Sequence, residues 1–121
     1  MKRIIRELDN VFSMSNISPK RTGLSCNIWV DDTGSSRNVP HSVPRVKITE
    51  GDYQISVSIS SSPEILAKSI HIPHSVMKHM KAAISYVSRN YDILLKYYVD
   101  GGENYDTQDL FDDLRSRGEF K

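Results

Sequence analysis

Two periodicities share this chain. Residues 2–14 set Ile4, Ile5, Leu8, Val11 and Phe12 at helical spacing, with Lys2, Arg3, Arg6, Glu7 and Asp9 between them. That pattern predicts an amphipathic N-terminal helix within 1–17, ended by Ser18-Pro19 and Thr22-Gly23. From Leu24 to Asp31 the period becomes two. Leu24, Cys26, Ile28 and Val30 share one face and Ser25, Asn27, Trp29 and Asp31 the other, which reads as a strand with one buried side. A turn at Asp32–Ser35 and a loop holding Pro40 and Pro44 lead to Val46 and Ile48, the start of a second such strand. Glu50-Gly51-Asp52 turns it into the most regular stretch, in which Tyr53, Ile55, Val57 and Ile59 alternate with Gln54, Ser56, Ser58 and Ser60. Two alternating runs around a short Gly turn predict an antiparallel hairpin.

Ser61-Ser62-Pro63 ends that hairpin, and the segments around Ile65-Leu66 and Ile70–Ile72 offer an edge strand. Pro73 stands where helices begin, and Val76, Met80, Ile84 and Val87 carry a helix to about Arg89. Asn90 or Asp92 is placed to cap a second piece with Ile93, Leu94 and Tyr97 inward. Gly101-Gly102 makes a hinge, and Asp106 or Thr107 caps a last helix with Leu110, Phe111 and Leu114 inward, ending at Gly118. The order predicts a single α+β domain over 1–121, a small antiparallel sheet of 3–4 strands with helices packed on one face. Its parts are the N-terminal helix (1–17), the sheet (23–72), two helical pieces (73–99) and an acidic C-terminal helix (103–118).

Composition narrows the class without choosing a function. With 38% hydrophobic and 26% charged residues the chain is neither disordered nor fibrous. A net charge of +1 gives no global field that selects nucleic acid or membrane. Locally the charges separate: bases prevail through Lys47, acids from Gly101 onward. The lone Cys26 excludes an internal disulfide and sits where a small buried hydrophobe belongs. No apolar run reaches the roughly 18 residues of a membrane span. The charges at Arg6, Glu7 and Asp9 interrupt any signal-peptide core, so the expectation is a cytoplasmic protein with no membrane partner.

Chemistry is sparse. His41, His71, His74 and His79 fall short of the three or four ligands, thiolate or carboxylate among them, of a zinc site. The pairs Asp31-Asp32 and Asp112-Asp113 are neighbours in a turn or on a helix surface, where adjacent carboxylates diverge. No nucleophile elbow or phosphate loop occurs. The reading is therefore non-enzymatic, with no catalytic residue, metal or cofactor. What remains is a basic segment: Arg45 and Lys47 share the outward face of one strand, Arg37 and His41 precede them, and Trp29 lies on the polar face of the neighbouring strand. Cations beside an aromatic ring can grip phosphates and stack a base; they also serve to protect a sheet edge. Asp106, Asp109, Asp112 and Asp113 form a second, acidic candidate surface.

Residues 23–97 resemble a family of small bacterial domains of unknown function. Its hallmarks are a strand entered through Asn-Pro-Pro-His-x-His, a strand ending Ile-x-Ile-x-Thr-Gly-Glu-Ile-Leu, a Leu-Pro helix start and a helix ending Leu-Leu-x-x-Trp. The corresponding pieces are His41 with Pro44–Ile48, Ser56–Ile59, Pro63–Leu66, Ile72-Pro73, and Asn90 with Leu94–Tyr97. Arg45 and Lys47 stand where the family has its two histidines. The resemblance implies the same fold and a setting on mobile elements or in toxin–antitoxin-like gene pairs.

The expectation that follows is an accessory or inhibitor of phage or mobile-element origin, acting in anti-defence or toxin–antitoxin fashion by binding another protein: an antitoxin, a toxin or a defence nuclease. The alternatives are nucleic-acid binding through Trp29, Arg37, Arg45 and Lys47, and an RNase-like toxin using His41, Arg45 and His71.

Overall fold

Alternation of apolar and polar side chains builds a five-stranded antiparallel meander in the computed structural model, which describes residues 14–31, 43–101 and 104–121. The strands are β1 (Met14–Ile17), β2 (Asn27–Asp31), β3 (Arg45–Glu50), β4 (Tyr53–Ser58) and β5 (Ile65–Lys68), each paired with the next in sequence. The register joins Ile17 to Ile28, Ile28 to Ile48 and Ile48 to Ile55 in one row, and Val30 to Val46 and Val46 to Val57 in another. Those seven side chains are almost wholly withdrawn from water, and each contributes about 1.5–3 kcal/mol through burial. Gly51 takes φ +59 at the first central position of the two-residue β3–β4 turn, the place a type II′ hairpin reserves for glycine.

The helices cover that apolar face. After the single turn α1 (Pro19–Thr22) come α2 (His74–Arg89), α3 (Tyr91–Asp100) and α4 (Thr107–Ser116). Helical spacing turns Met80, Ala83, Tyr86 and Val87 of α2 inward, with Ile93, Leu94, Tyr97 and Tyr98 of α3 and Leu110 and Leu114 of α4. Three hydroxyls pin β1 to the helices: Ser15 Oγ lies 2.5 Å from Tyr97 Oη and 3.0 Å from Thr107 Oγ1. The architecture is α+β, with the helices on one side of the sheet.

The structure departs from expectation in three places. The helix expected over 1–17 falls mostly outside the described residues, but its last four residues, Met14–Ile17, are a strand. Ile17 packs into the core by pairing with Ile28, a long-range gain that helical periodicity cannot register. That strand raises the sheet from the expected 3–4 strands to five and starts it before residue 23. Asn90 precedes α3 without capping it through its side chain. The amide is fully buried instead; Nδ2 donates to Tyr86 O at 3.0 Å and to Glu119 Oε2 at 2.8 Å, fastening the end of the chain beneath α2.

Candidate functional site

The sheet's outer face gathers part of the predicted basic surface. Trp29 and Lys47 are direct cross-strand partners, and Arg45 lies two residues along the same side of β3. Trp29 Nε1–H donates to Thr49 Oγ1 at 3.0 Å, which fixes the indole against β3. Asn16, Asn27, Gln54 and Ser56 continue the face as a polar field. Arg45 Nε–H donates to Val43 O at 3.1 Å, and Lys47 has no ion-pair partner among the described residues. Arg37 and His41 lie outside the described residues.

Of the ribonuclease residues, His41 lies outside the described residues, and Arg45 and His71 are not brought together. Arg45 is registered with Ser58, whereas His71 follows Ser69, which is bonded to Gln54. Four residues of extended strand part the two ends of β4, roughly 13 Å. His79 pairs with Glu50 instead, its Nδ1 2.9 Å from Oε1. Cys26 Sγ donates to the same Oε1 at 3.5 Å, so the carboxylate stands between thiol and imidazole. Burial first, and then the Glu50 carboxylate, push the thiol up to about 12. That is the opposite of an activated nucleophile. No three His, Cys, Asp or Glu come together as a metal site among the described residues.

The acidic candidates have work inside the fold. Asp106 Oδ1 accepts from the Asp109 amide at 2.9 Å, and Asp109 Oδ2 from the Asp106 amide at 3.0 Å, a reciprocal capping box on α4. Asp112 accepts from Arg115 and Gln108, and Asp113 from the Tyr105 hydroxyl. In a groove of about 330 Å³ between α3 and α4, Arg117 Nη2 lies 2.5 Å from Asp92 Oδ2, and Lys96 Nζ lies 4.7 Å from the centre of the Tyr105 ring. The Arg117 hydrogen bond above all holds Asp92 below its ordinary value.

Residues missing from the predicted site lie where β5 meets α2. β5 borders the sheet, and all four of its residues are exposed. Ile65 is 44% and Leu66 36% exposed, and Ile70, just beyond the strand, 80%. Lys68, Ser69, Ile70, His71, Ile72 and Met77 line a pocket of about 420 Å³ at this corner, and His71 makes the turn with φ 58. His74, Met77 and Lys81 form one stripe of α2 by their i, i+3 and i+4 spacing. One signal was available in the sequence: from Ile65 to Arg89 there is no Asp or Glu, against Lys68, Lys78, Lys81, Arg89 and three histidines.

Comparison with known proteins found no matching family model, no similar curated protein and no similar solved structure. None of the three comparisons bears on the resemblance expected from the Asn-Pro-Pro-His-x-His pattern, whose motif residues lie partly among the described ones. Those described fall on β3, β4, the entry to β5, the start of α2, and α3 with the Asn90 that precedes it. No helix among the described residues is long and apolar enough to cross a membrane.

Proposed function

We propose that this chain is a non-enzymatic protein-binding module that engages its partner along the open edge of β5. The supporting observation is the exposed run Ile65, Leu66 and Ile70 beside a strand whose outer backbone pairs with no other described strand. Single exposed apolar residues are ordinary on any surface. Three within six positions, next to an unpaired strand edge, form the surface that strand addition uses: backbone groups supply affinity and neighbouring side chains supply selectivity. A module of this kind acts by occupying its partner's surface, which suits an accessory or inhibitor.

The test is a pair of purifications from cells that encode the protein. Wild type is compared with an Ile70→Ser/Leu66→Ser variant, with a photo-crosslinker at position 70 and, as a control, at position 108. A stoichiometric partner retained by wild type, lost by the variant and crosslinked only from position 70 is expected. Equal retention by both proteins, or none by either, refutes edge docking.

The Trp29–Lys47 pair with Arg45 supports a second reading, single-stranded nucleic acid on the outer face of the sheet. Quenching of Trp29 by an oligonucleotide, weakening steeply with salt and abolished by Arg45→Ala/Lys47→Ala, is its signature. Quenching that ignores salt, or none, removes it.

A further inference from the structure

We infer that the β5 edge takes an extended segment of another protein in which apolar residues alternate with acidic ones, and that one end of that segment enters the pocket at Ile70 and Met77. This inference rests on the protein-binding reading and names the partner's chemistry. The extended form follows from β5, which ends the sheet order and, among the described residues, leaves its outer backbone open to one more strand. The apolar requirement follows from Ile65, Leu66 and Ile70, exposed at this end of the sheet, and from the Ile70, Ile72 and Met77 walls of the pocket.

The acidic requirement follows from charge. Lys68 and His71 line the pocket, and His74, Lys78 and Lys81 stand exposed on the adjoining helix. Of the acids near this corner, Glu50 is paired with His79, Glu64 stands at the opposite end of β5 from the pocket, and Asp52, exposed in the β3–β4 turn next to the Gln54–Ser69 pairing, is one carboxylate against these five basic side chains. A carboxylate-bearing strand meets complementary potential along this corner.

Antiparallel self-pairing at β5 would set Lys68 beside Ile65 and Glu64 of a second copy, so a dimer competes for the same edge; sedimentation velocity that shows a dimer, together with no peptide binding, overturns the inference.

The experiment uses the full chain and three fluorescein-labelled heptapeptides, alternating Val with Glu, with Gln or with Lys, followed by fluorescence anisotropy. The Glu peptide is expected to bind, and the Lys peptide to bind at least tenfold more weakly. Lys68→Gln/Lys81→Gln is expected to weaken the Glu peptide about five- to tenfold, the size of two exposed ion pairs. Ile70→Ser should weaken it by a similar factor, and methylation of alternate peptide nitrogens should abolish binding; circular dichroism checks that each variant stays folded. A Gln peptide that binds as tightly as the Glu peptide overturns the acidic preference and leaves edge docking standing. Failure of all three peptides overturns both. Sedimentation with phosphatidylserine vesicles, lost in Ile70→Ser and accompanied by no peptide binding, overturns the inference in favour of a lipid surface.

Discussion

Replacing Phe120 by alanine tests how the last residues of the chain lock the helical layer. Phe120 is only 6% exposed, although it is the penultimate residue. Its ring stacks on Phe111 with centroids 4.5 Å apart and planes 12° from parallel. The guanidiniums of Arg21 and Arg115 lie 5.9 and 5.4 Å from its centre. Around it, Lys121 N–H donates to Arg21 O at 2.8 Å and the Tyr86 hydroxyl to Glu119 O at 2.8 Å. Truncating a buried Phe to Ala costs about 3–5 kcal/mol, and the neighbouring Phe111 ring and the Arg21 and Arg115 side chains can settle into the gap, which favours the lower figure. At about 4 °C of melting temperature per kcal/mol for a domain this size, a loss of about 3 kcal/mol lowers the midpoint by about 12 °C. Thermal and urea unfolding followed by far-ultraviolet circular dichroism measure it. The cycle with Phe111→Ala should return a coupling of about 0.5–1.5 kcal/mol. A fall of less than about 4 °C, together with no coupling, would show that the tail merely rests on the surface and that the stacked pair does not hold it.

Three further outcomes follow. The Glu119 carboxyl is held below its ordinary 4.5 by the Arg89 hydrogen bond first, with Asn90 assisting against burial. Its contribution is therefore complete above pH 4.5 and lost as pH falls below that value. Glu119→Gln should flatten the fall in urea midpoint between pH 5 and 3, and an unchanged profile would refute the pairing. Cys26, raised from 9.0 to about 12, carries roughly a thousandfold less thiolate at pH 8 than a free thiol. Iodoacetamide should label it in urea and spare it in buffer, and its share of stability fades as pH climbs from 9 towards 12; rapid native labelling contradicts this. Asp106→Ala removes the α4 cap and should destabilise by about 1 kcal/mol in urea titration; an effect near zero would mean that the capping box is not maintained in solution.

The candidate surfaces differed in how far the sequence disclosed them. That Trp29 shares a face with Arg45 and Lys47 was foreseeable, because alternation assigns each residue to a face; that it stands directly opposite Lys47 was not, because a long loop joins β2 to β3 and fixes no register. The acidic surface was legible as charge, whereas its hydrogen bonds within the fold were not. Nothing local says that Asp106 and Asp109 cap each other or that Asp113 receives the Tyr105 hydroxyl. The corner at Ile70 was hidden for a different reason. An exposed isoleucine looks like a core isoleucine until the neighbours that fail to cover it are known, and β5 is too short to show a period.

Local chemistry was enough for the sheet-then-helices order, the inward rows of Ile and Val on β2, β3 and β4, the Gly51 hairpin and the helix begun at Asp106, since each depends on residues within a few positions of one another. Long-range pairing supplied the rest. Met14–Ile17 became a strand because the edge of β2 lay open to it, Asn90 turned inward because Glu119 returns from the end of the chain, and β5 was left as the bare edge because no later segment adds to it among the described residues. Free energies of that kind reside in contacts between distant residues, which no local pattern records.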